Sequence, residues 1–211
     1  MRPYKIIYSK RRNIQISVTN ANEVIVRCPL TASKEQIERF LYEKRDWIDK
    51  IIRKNTARIN SDGDVLSFEA VYVNGERVPL ILGEKNLVTE TCVYLKKIQD
   101  IQKLFIKSFL KSFLVDVNYI SDKFGLIPHS VKVKNYKSRW GCCDTKGNVC
   151  FNYKLFMLPP RLREYVIIHE LCHLKHCNHS SAFWSLVEVY LPDYKSVRKE
   201  LRNFDFLATL Y

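Results

Sequence analysis

Eleven consecutive residues, HELCHLKHCNH from His169 to His179, hold four of the five histidines in the chain, and no other stretch restricts the possible folds as strongly. On a helix His169 and His173 lie one turn apart on one face, so a rigid backbone can aim two imidazoles at a single ion. Glu170 stands about 100° around the axis, out of that plane but within reach of a water held by the ion. This is the H-E-x-x-H spacing of zinc hydrolases. A fold that uses it must hold that helix rigidly and bring a further ligand to the same ion.

Neutral imidazole suits Zn²⁺, and three protein ligands leave a fourth position for water, whose pKa falls to about 7, with Glu170 as general base. Two histidines compete to be the third ligand. His176 returns to the face of His169 if the helix runs on, but three ligands along a straight helix spread over about 10 Å, too far for bonds of about 2 Å. His179 avoids that limit, because Asn178 favours a turn and Ser180 or Ser181 can cap a new helix from near Ala182. The spacing therefore favours His169, His173 and His179 as ligands, with His176 solvated or outside the ligand set.

The neighbouring residues suit a core helix. Pro159 and Pro160 fit its first turn, and Leu162, Tyr165, Val166, Ile168, Leu171 and Cys172 give it a broad apolar surface. Cys172 reads as a small buried residue rather than a ligand. Downstream, Phe183, Trp184, Leu186, Val187 and Tyr190 form the stripe of a second helix ended by Pro192, expected to brace the turn that carries His179.

With 211 residues, 46% of them hydrophobic, the chain can bury a core as one domain or two small ones. No apolar run reaches membrane-spanning length, and MRPYKIIYSKRR lacks the apolar stretch of a signal peptide, so a globular cytoplasmic protein without a membrane partner is expected. Seven cysteines, with no C-x-x-C pair, suggest neither a disulfide framework nor a zinc finger. The net charge of +13 is concentrated early: residues 1–60 hold fourteen Lys or Arg against six Asp or Glu. Such a basic face attracts nucleic acid, nucleotides or an acidic protein, or serves solubility alone.

Along the chain, Tyr4 to Ser9, Ile14 to Val18 and Val24 to Cys28 read as strands, with a turn at Thr19 to Asn22. Ser33 and Gln36 make a capping box for a helix whose Ile37, Phe40, Leu41, Trp47, Ile48, Ile51 and Ile52 keep helical spacing, with Trp47 in the core. Polar residues 55–64 read as a connector. A hairpin follows, Val71 to Val73 and Val78 to Leu82 around Asn74-Gly75, then a strand near Leu87 to Tyr94. From Asp100 the pattern is helical up to Gly125, followed by strands at Val131 to Tyr136, Arg139 to Cys143 and Asn148 to Tyr153. The expected fold is α+β. A β-rich N-terminal domain with one helix spans 1–98, and a zincin-like catalytic domain spans 99–211, its active-site helix beside a small antiparallel or mixed sheet. A free edge of that sheet would pair with a peptide by β-augmentation. Arg139 is the candidate for binding substrate through paired guanidinium donors, and Trp140 reads as a packing anchor.

The strings SRWGCCDTKGNVCFN (Ser138 to Asn152) and HELCHLKHCNHSSAFW (His169 to Trp184) resemble the YgjP-like metallopeptidase family, which is similar to the SprT-like and WLM zincin-type metalloproteases. TASKEQIERFLYEKRDWI and VNGERVPLILG extend the likeness to the N-terminal half. The resemblance implies a zinc site at His169, His173 and His179 with Glu170 as base. It departs from the family pattern at Cys142, where Ser is common, and at Tyr153-Lys154, where Trp-Arg is common. Two classes of function then compete: a zinc metallopeptidase acting on peptides or proteins, or near nucleic acid as a protease of SprT or WLM type, and a metal-dependent pyrophosphohydrolase of nucleoside triphosphates such as UTP. A third reading, a nucleic-acid-binding module with structural zinc, leaves Glu170 in the general-base position without a role. The sequence does not specify an oligomeric state.

Overall fold

The computed structural model describes residues 3–19 and 22–210, and its contacts divide the chain into two compact units, Met1–Gly63 and Asp64–Tyr211. In the first, β1 (Tyr4–Ser9), β2 (Gln15–Val18) and β3 (Val24–Pro29) form a sheet ordered β1-β3-β2, with β2 antiparallel and β1 parallel to β3. Alternation places Val24, Val26 and Cys28 of β3 on the inner face, against Ile37, Leu41, Ile48 and Ile52 of the helices. Asn20 and Ala21 of the expected turn lie outside the described residues.

Helix α1 (Lys34–Glu43) starts on the expected capping box: Ser33 Oγ accepts from the Gln36 amide at 3.3 Å, and Gln36 Oε1 accepts from the Ser33 amide at 3.0 Å. The expected single helix is broken at Lys44 and resumes as α2 (Arg45–Leu66). Residues 55–64 are therefore helical rather than a connector, with a non-helical bend at Asp62. Their polarity belongs mostly to a solvated face, while buried Asn55 donates from Nδ2 to the Thr19 carbonyl at 2.8 Å. Trp47 is 45% exposed rather than core, because Ile48 and Ile52 take the inward positions of α2.

In the second unit, β4 (Ala70–Val73) and β5 (Glu76–Leu82) form the expected hairpin, whose turn residues Asn74 and Gly75 have φ of 52° and 91°, as a two-residue primed turn requires. The strand expected over Leu87 to Tyr94 is two strands, β6 (Leu87–Val88) and β7 (Val93–Leu95). A turn closed by Thr89 Oγ1 and the Cys92 amide, 3.0 Å apart, separates them. The sheet is ordered β4-β5-β7-β6. Helix α3 (Ile101–Phe124) ends at Gly125 in the left-handed region, φ 63°. Strands β8 (Ser130–Lys134), β9 (Gly141–Cys143) and β10 (Asn148–Asn152) form a mixed sheet ordered β8-β10-β9. A 3-10 turn, Tyr153–Met157, leads into α4 (Pro160–Cys172), followed by α5 (Ser181–Tyr190), α6 (Tyr194–Leu201) and α7 (Asp205–Thr209).

The fold is α+β, as expected, but the division expected near residue 98 falls instead at Gly63–Asp64. Val71, Val78, Leu80, Val93 and Leu95 of the upstream sheet share one apolar core with α3 and α4, so those strands cannot be separated from the second unit. The Asn74-Gly75 turn docks on the approach to α4: the Asn74 and Gly75 amides donate to the Phe156 and Met157 carbonyls at 2.9 and 3.0 Å. Arg163 donates to Asn74 Oδ1 at 2.8 Å. A Cβ on Gly75 would stand 2.6 Å from Pro159 Cγ and 2.9 Å from its Cα, so the turn needs glycine for space as well as for φ. Phe113 sits edge-on to Phe151 and Phe156, with centroids 5.2 and 5.4 Å away, tying α3 to β10 and to the turn before α4.

Lys154 is fully buried in that turn, its Nζ donating to the Ala208 carbonyl at 2.9 Å and the Tyr136 carbonyl at 3.4 Å. Burial lowers its pKa to about 8, against about 10.4 in an unfolded chain. Below about pH 8 both states hold the proton and the cost of burying the charge is fully present. Between about pH 8 and pH 10.4 the folded state releases it first, so this contribution to stability rises with pH. Denaturant unfolding of wild type and Lys154→Met at about pH 7 and about pH 9.5 should show the difference moving in favour of wild type at the higher pH. A pH-independent difference would mean that the buried ammonium keeps its proton.

Candidate metal centre

Helix α4 begins with Pro160 in its first turn and buries Leu162, Tyr165, Val166, Ile167, Ile168, Leu171 and Cys172, which fixes the azimuth of His169 and Glu170. His173 caps its C-terminus. The Lys175 and His176 amides both donate to the Cys172 carbonyl at 3.1 Å, closing a last turn after which the chain is irregular up to Ser181. Ser180 then caps α5, accepting from the Phe183 amide at 3.4 Å. The turn returns His179 to the others, with ring centroids 5.0 Å from His169 and 4.8 Å from His173. One ligand atom from each of the three imidazoles lies within 4.8 Å of the others, and His176 is not part of the group.

The protonation pattern fits a divalent cation. Burial, with His173 and His179 nearby, holds His169 down to about 3, and burial lowers His179 as well, so both rings are neutral. Their Nε2 atoms face each other at 3.0 Å, a contact between two acceptors unless a cation or one shared proton lies between them. His173 Nδ1 lies 2.9 Å from the His176 carbonyl. A carbonyl can only accept, so Nδ1 carries the hydrogen and Nε2 is left for a ligand. His176 thus reaches the site through its backbone, a role its side chain could not announce. Phe183 stacks on the His173 ring at 4.5 Å and Trp184 on that of His179 at 5.5 Å, so α5 braces the turn as expected. Burial pushes the Cys172 thiol up to about 12, and burial together with Glu170 pushes that of Cys143 up to about 11, so these two stay protonated.

Glu170 is buried on the side facing β9, and burial pushes its carboxyl up to about 8 while Arg139 opposes the shift. A Cβ on Gly141 would stand 2.7 Å from Glu170 Cγ and 2.8 Å from Oε1, so the strand must carry glycine there for the carboxylate to keep its place. Gly141→Ala should displace that carboxylate and lower kcat about 10²-fold with metal content unchanged, measured on the purified variant beside wild type. Full activity in Gly141→Ala would show that the carboxylate has no required position.

A cleft of about 460 Å³ opens over the histidines and Glu170, with Arg139, Trp140 and β9 on one side and Arg198, Arg202 and Asp205 on another. Arg139 therefore reaches the site. Its loop is pinned by buried Asn152, whose Nδ2 donates to the Tyr136 and Arg139 carbonyls, each at 2.9 Å. Trp140 packs partly buried against the core and donates from Nε1 to Asp205 Oδ1 at 3.4 Å. Sequence reasoning missed Gly141, Asn152, Arg198 and Arg202. Gly141 and Asn152 lie inside the string Ser138 to Asn152, yet their value is steric and conformational. Arg198 sits on an unanticipated helix and Arg202 caps it, and only their four-residue spacing hinted at a shared face.

The profile described as YgjP-like, metallopeptidase domain matches residues 12–204. Among solved structures, the metallopeptidase zymogen of Pyrococcus abyssi abylysin matches with 24% identity over 42% of this chain and 90% of that one, at a TM-score of 0.38. A search of the curated proteins finds no significant match. No helix among the described residues is long and apolar enough to cross a membrane.

Proposed function

Because the chain belongs to the YgjP-like family of metallopeptidase domains, we propose that it hydrolyses peptide bonds at a zinc ion held by His169, His173 and His179, with Glu170 as general base. The observation that carries this reading is the convergence of three imidazole ligand atoms within 4.8 Å in a cleft that also contains Glu170. Bound zinc supplies a Lewis acid and lowers the pKa of water. The residues of the chain do the rest. Glu170 takes the proton from the attacking water and returns it to the leaving amine, aided by Arg139, which favours the carboxylate form. His176, through its carbonyl, keeps His173 in the tautomer that presents Nε2.

Strand β9 supports an extended substrate. It pairs with β10 on one side, Gly141 opposite Phe151 and Cys143 opposite Val149, and among the described strands it has no second neighbour. A peptide backbone laid along that edge would lie in the cleft beside Glu170. The competing nucleoside triphosphate reading draws on Arg139, Arg198 and Arg202 in the same cleft, whose guanidinium groups suit phosphate as well as carboxylate. Incubating the purified chain with a peptide library, denatured protein and nucleoside triphosphates, before and after chelation and zinc add-back, decides between them. Peptide cleavage that is lost with chelator and restored by zinc is expected; turnover of nucleotides alone would overturn the peptidase reading.

A further inference from the structure

Helix α6 carries a second recognition element. Lys195, Arg198 and Lys199, with Arg202 at the C-cap just beyond, recur at i, i+3, i+4 and i+7 and are exposed, so one face of this helix and its end is a basic stripe. The stripe borders a groove of about 380 Å³ whose other walls are Trp184 and Tyr194. Arg198 and Arg202 line both this groove and the catalytic cleft, so the two adjoin at these side chains. The nearby carboxylates bear on the charge, and Asp193 at the helix start is taken by Arg161. Glu188 accepts from Lys195 at 3.2 Å, Asp205 sits at the cleft end beside Trp140, and Glu200 lies on α6 away from the stripe. Within ion-pair distance, Lys195 alone of the four cations meets a carboxylate among the described residues.

We propose that this groove binds an acidic segment of the substrate polypeptide, flanking the bond that lies over the histidines. This rests on the peptidase reading of the adjoining cleft and adds the substrate class. Charge complementarity favours an anionic chain, and the aromatic walls favour peptide over single-stranded nucleic acid. The Trp184 ring is already stacked on His179 at 5.5 Å and on Tyr194 at 5.4 Å, with the Arg198 guanidinium 4.6 Å from its centroid. Tyr194 is itself buried. Both rings are thus already engaged inside the fold rather than offered as a platform for successive bases, whereas carboxylates need only the exposed ammonium and guanidinium groups.

The test uses Glu170→Gln protein, so that bound peptide stays intact, and fluorescence anisotropy with a labelled peptide of Asp and Glu beside its Asn and Gln counterpart. The acidic peptide should bind about tenfold more tightly in low salt, and the preference should shrink to about threefold or less in high salt or in Lys195→Ala/Lys199→Ala. Unchanged thermal unfolding of that double variant shows that the fold is intact, and the salt arm needs no substitution there. Equal affinity for the two peptides overturns the proposal. So does tighter binding of oligodeoxythymidine or inorganic pyrophosphate than of the acidic peptide, which would assign the stripe to phosphate. Acidic preference without any cleavage by wild type would leave the groove standing and remove the peptidase reading, so the two failures are distinguishable.

Discussion

Glu170→Gln is expected to lower kcat for peptide hydrolysis about 10³-fold, in the range that loss of a positioned general base produces, with zinc content unchanged. Glutamine has nearly the shape of glutamate, so it fits the space that Gly141 leaves open, and it removes a buried ionisable group rather than creating one. The thermal midpoint should therefore hold or rise. What glutamine cannot do is accept a proton from water and return it to an amine. Because the substitution leaves the three imidazoles in place, substrate affinity should change far less than kcat, a split that separates lost chemistry from lost binding. Metal analysis and steady-state kinetics on the same preparation read both quantities. Full turnover by a zinc-loaded Glu170→Gln protein would remove Glu170 from the reaction.

The second large effect concerns His179 and His176, three residues apart and opposite in expected outcome. His179→Ala takes away one of the three convergent ligand atoms and should weaken zinc binding by at least about 10²-fold, with activity lost in proportion. His176→Ala should keep both, since the contribution of His176 is its carbonyl, 2.9 Å from His173 Nδ1, and alanine retains that group. Zinc content after dialysis against a weak chelator distinguishes the variants. Equal loss in the two, or loss in His176→Ala alone, would mean that the helix continues past His173 and the turn does not form.

The site was more legible in the sequence than the architecture around it. Helical periodicity placed His169, Glu170 and His173, and the Asn178 turn with the Ser180 cap placed His179, because helix geometry and capping act over a few residues. The same local rules gave the Ser33 capping box, the Asn74-Gly75 hairpin and the Gly125 stop. They failed where long-range packing decides. The polar run after Asn55 looks like a connector until Asn55 is seen donating to the Thr19 carbonyl. The division of the chain could not be read because the Asn74-Gly75 turn reports its own conformation and not the Pro159 surface against which it packs. The roles of Gly141, Asn152 and the α6 cations likewise exist only once distant segments meet.

The central claim is that three imidazoles, and none of the surrounding thiols, hold zinc. Cys143 and Cys177 line the same cleft and Cys172 precedes His173, so sulfur ligation is the alternative with physical content. X-ray absorption at the zinc edge of the zinc-loaded chain separates them by bond length. The expected result is a shell of nitrogen or oxygen at about 2.0–2.1 Å with imidazole scattering and no sulfur. A sulfur shell at about 2.3 Å would contradict the three-histidine assignment and the peptidase mechanism built on it.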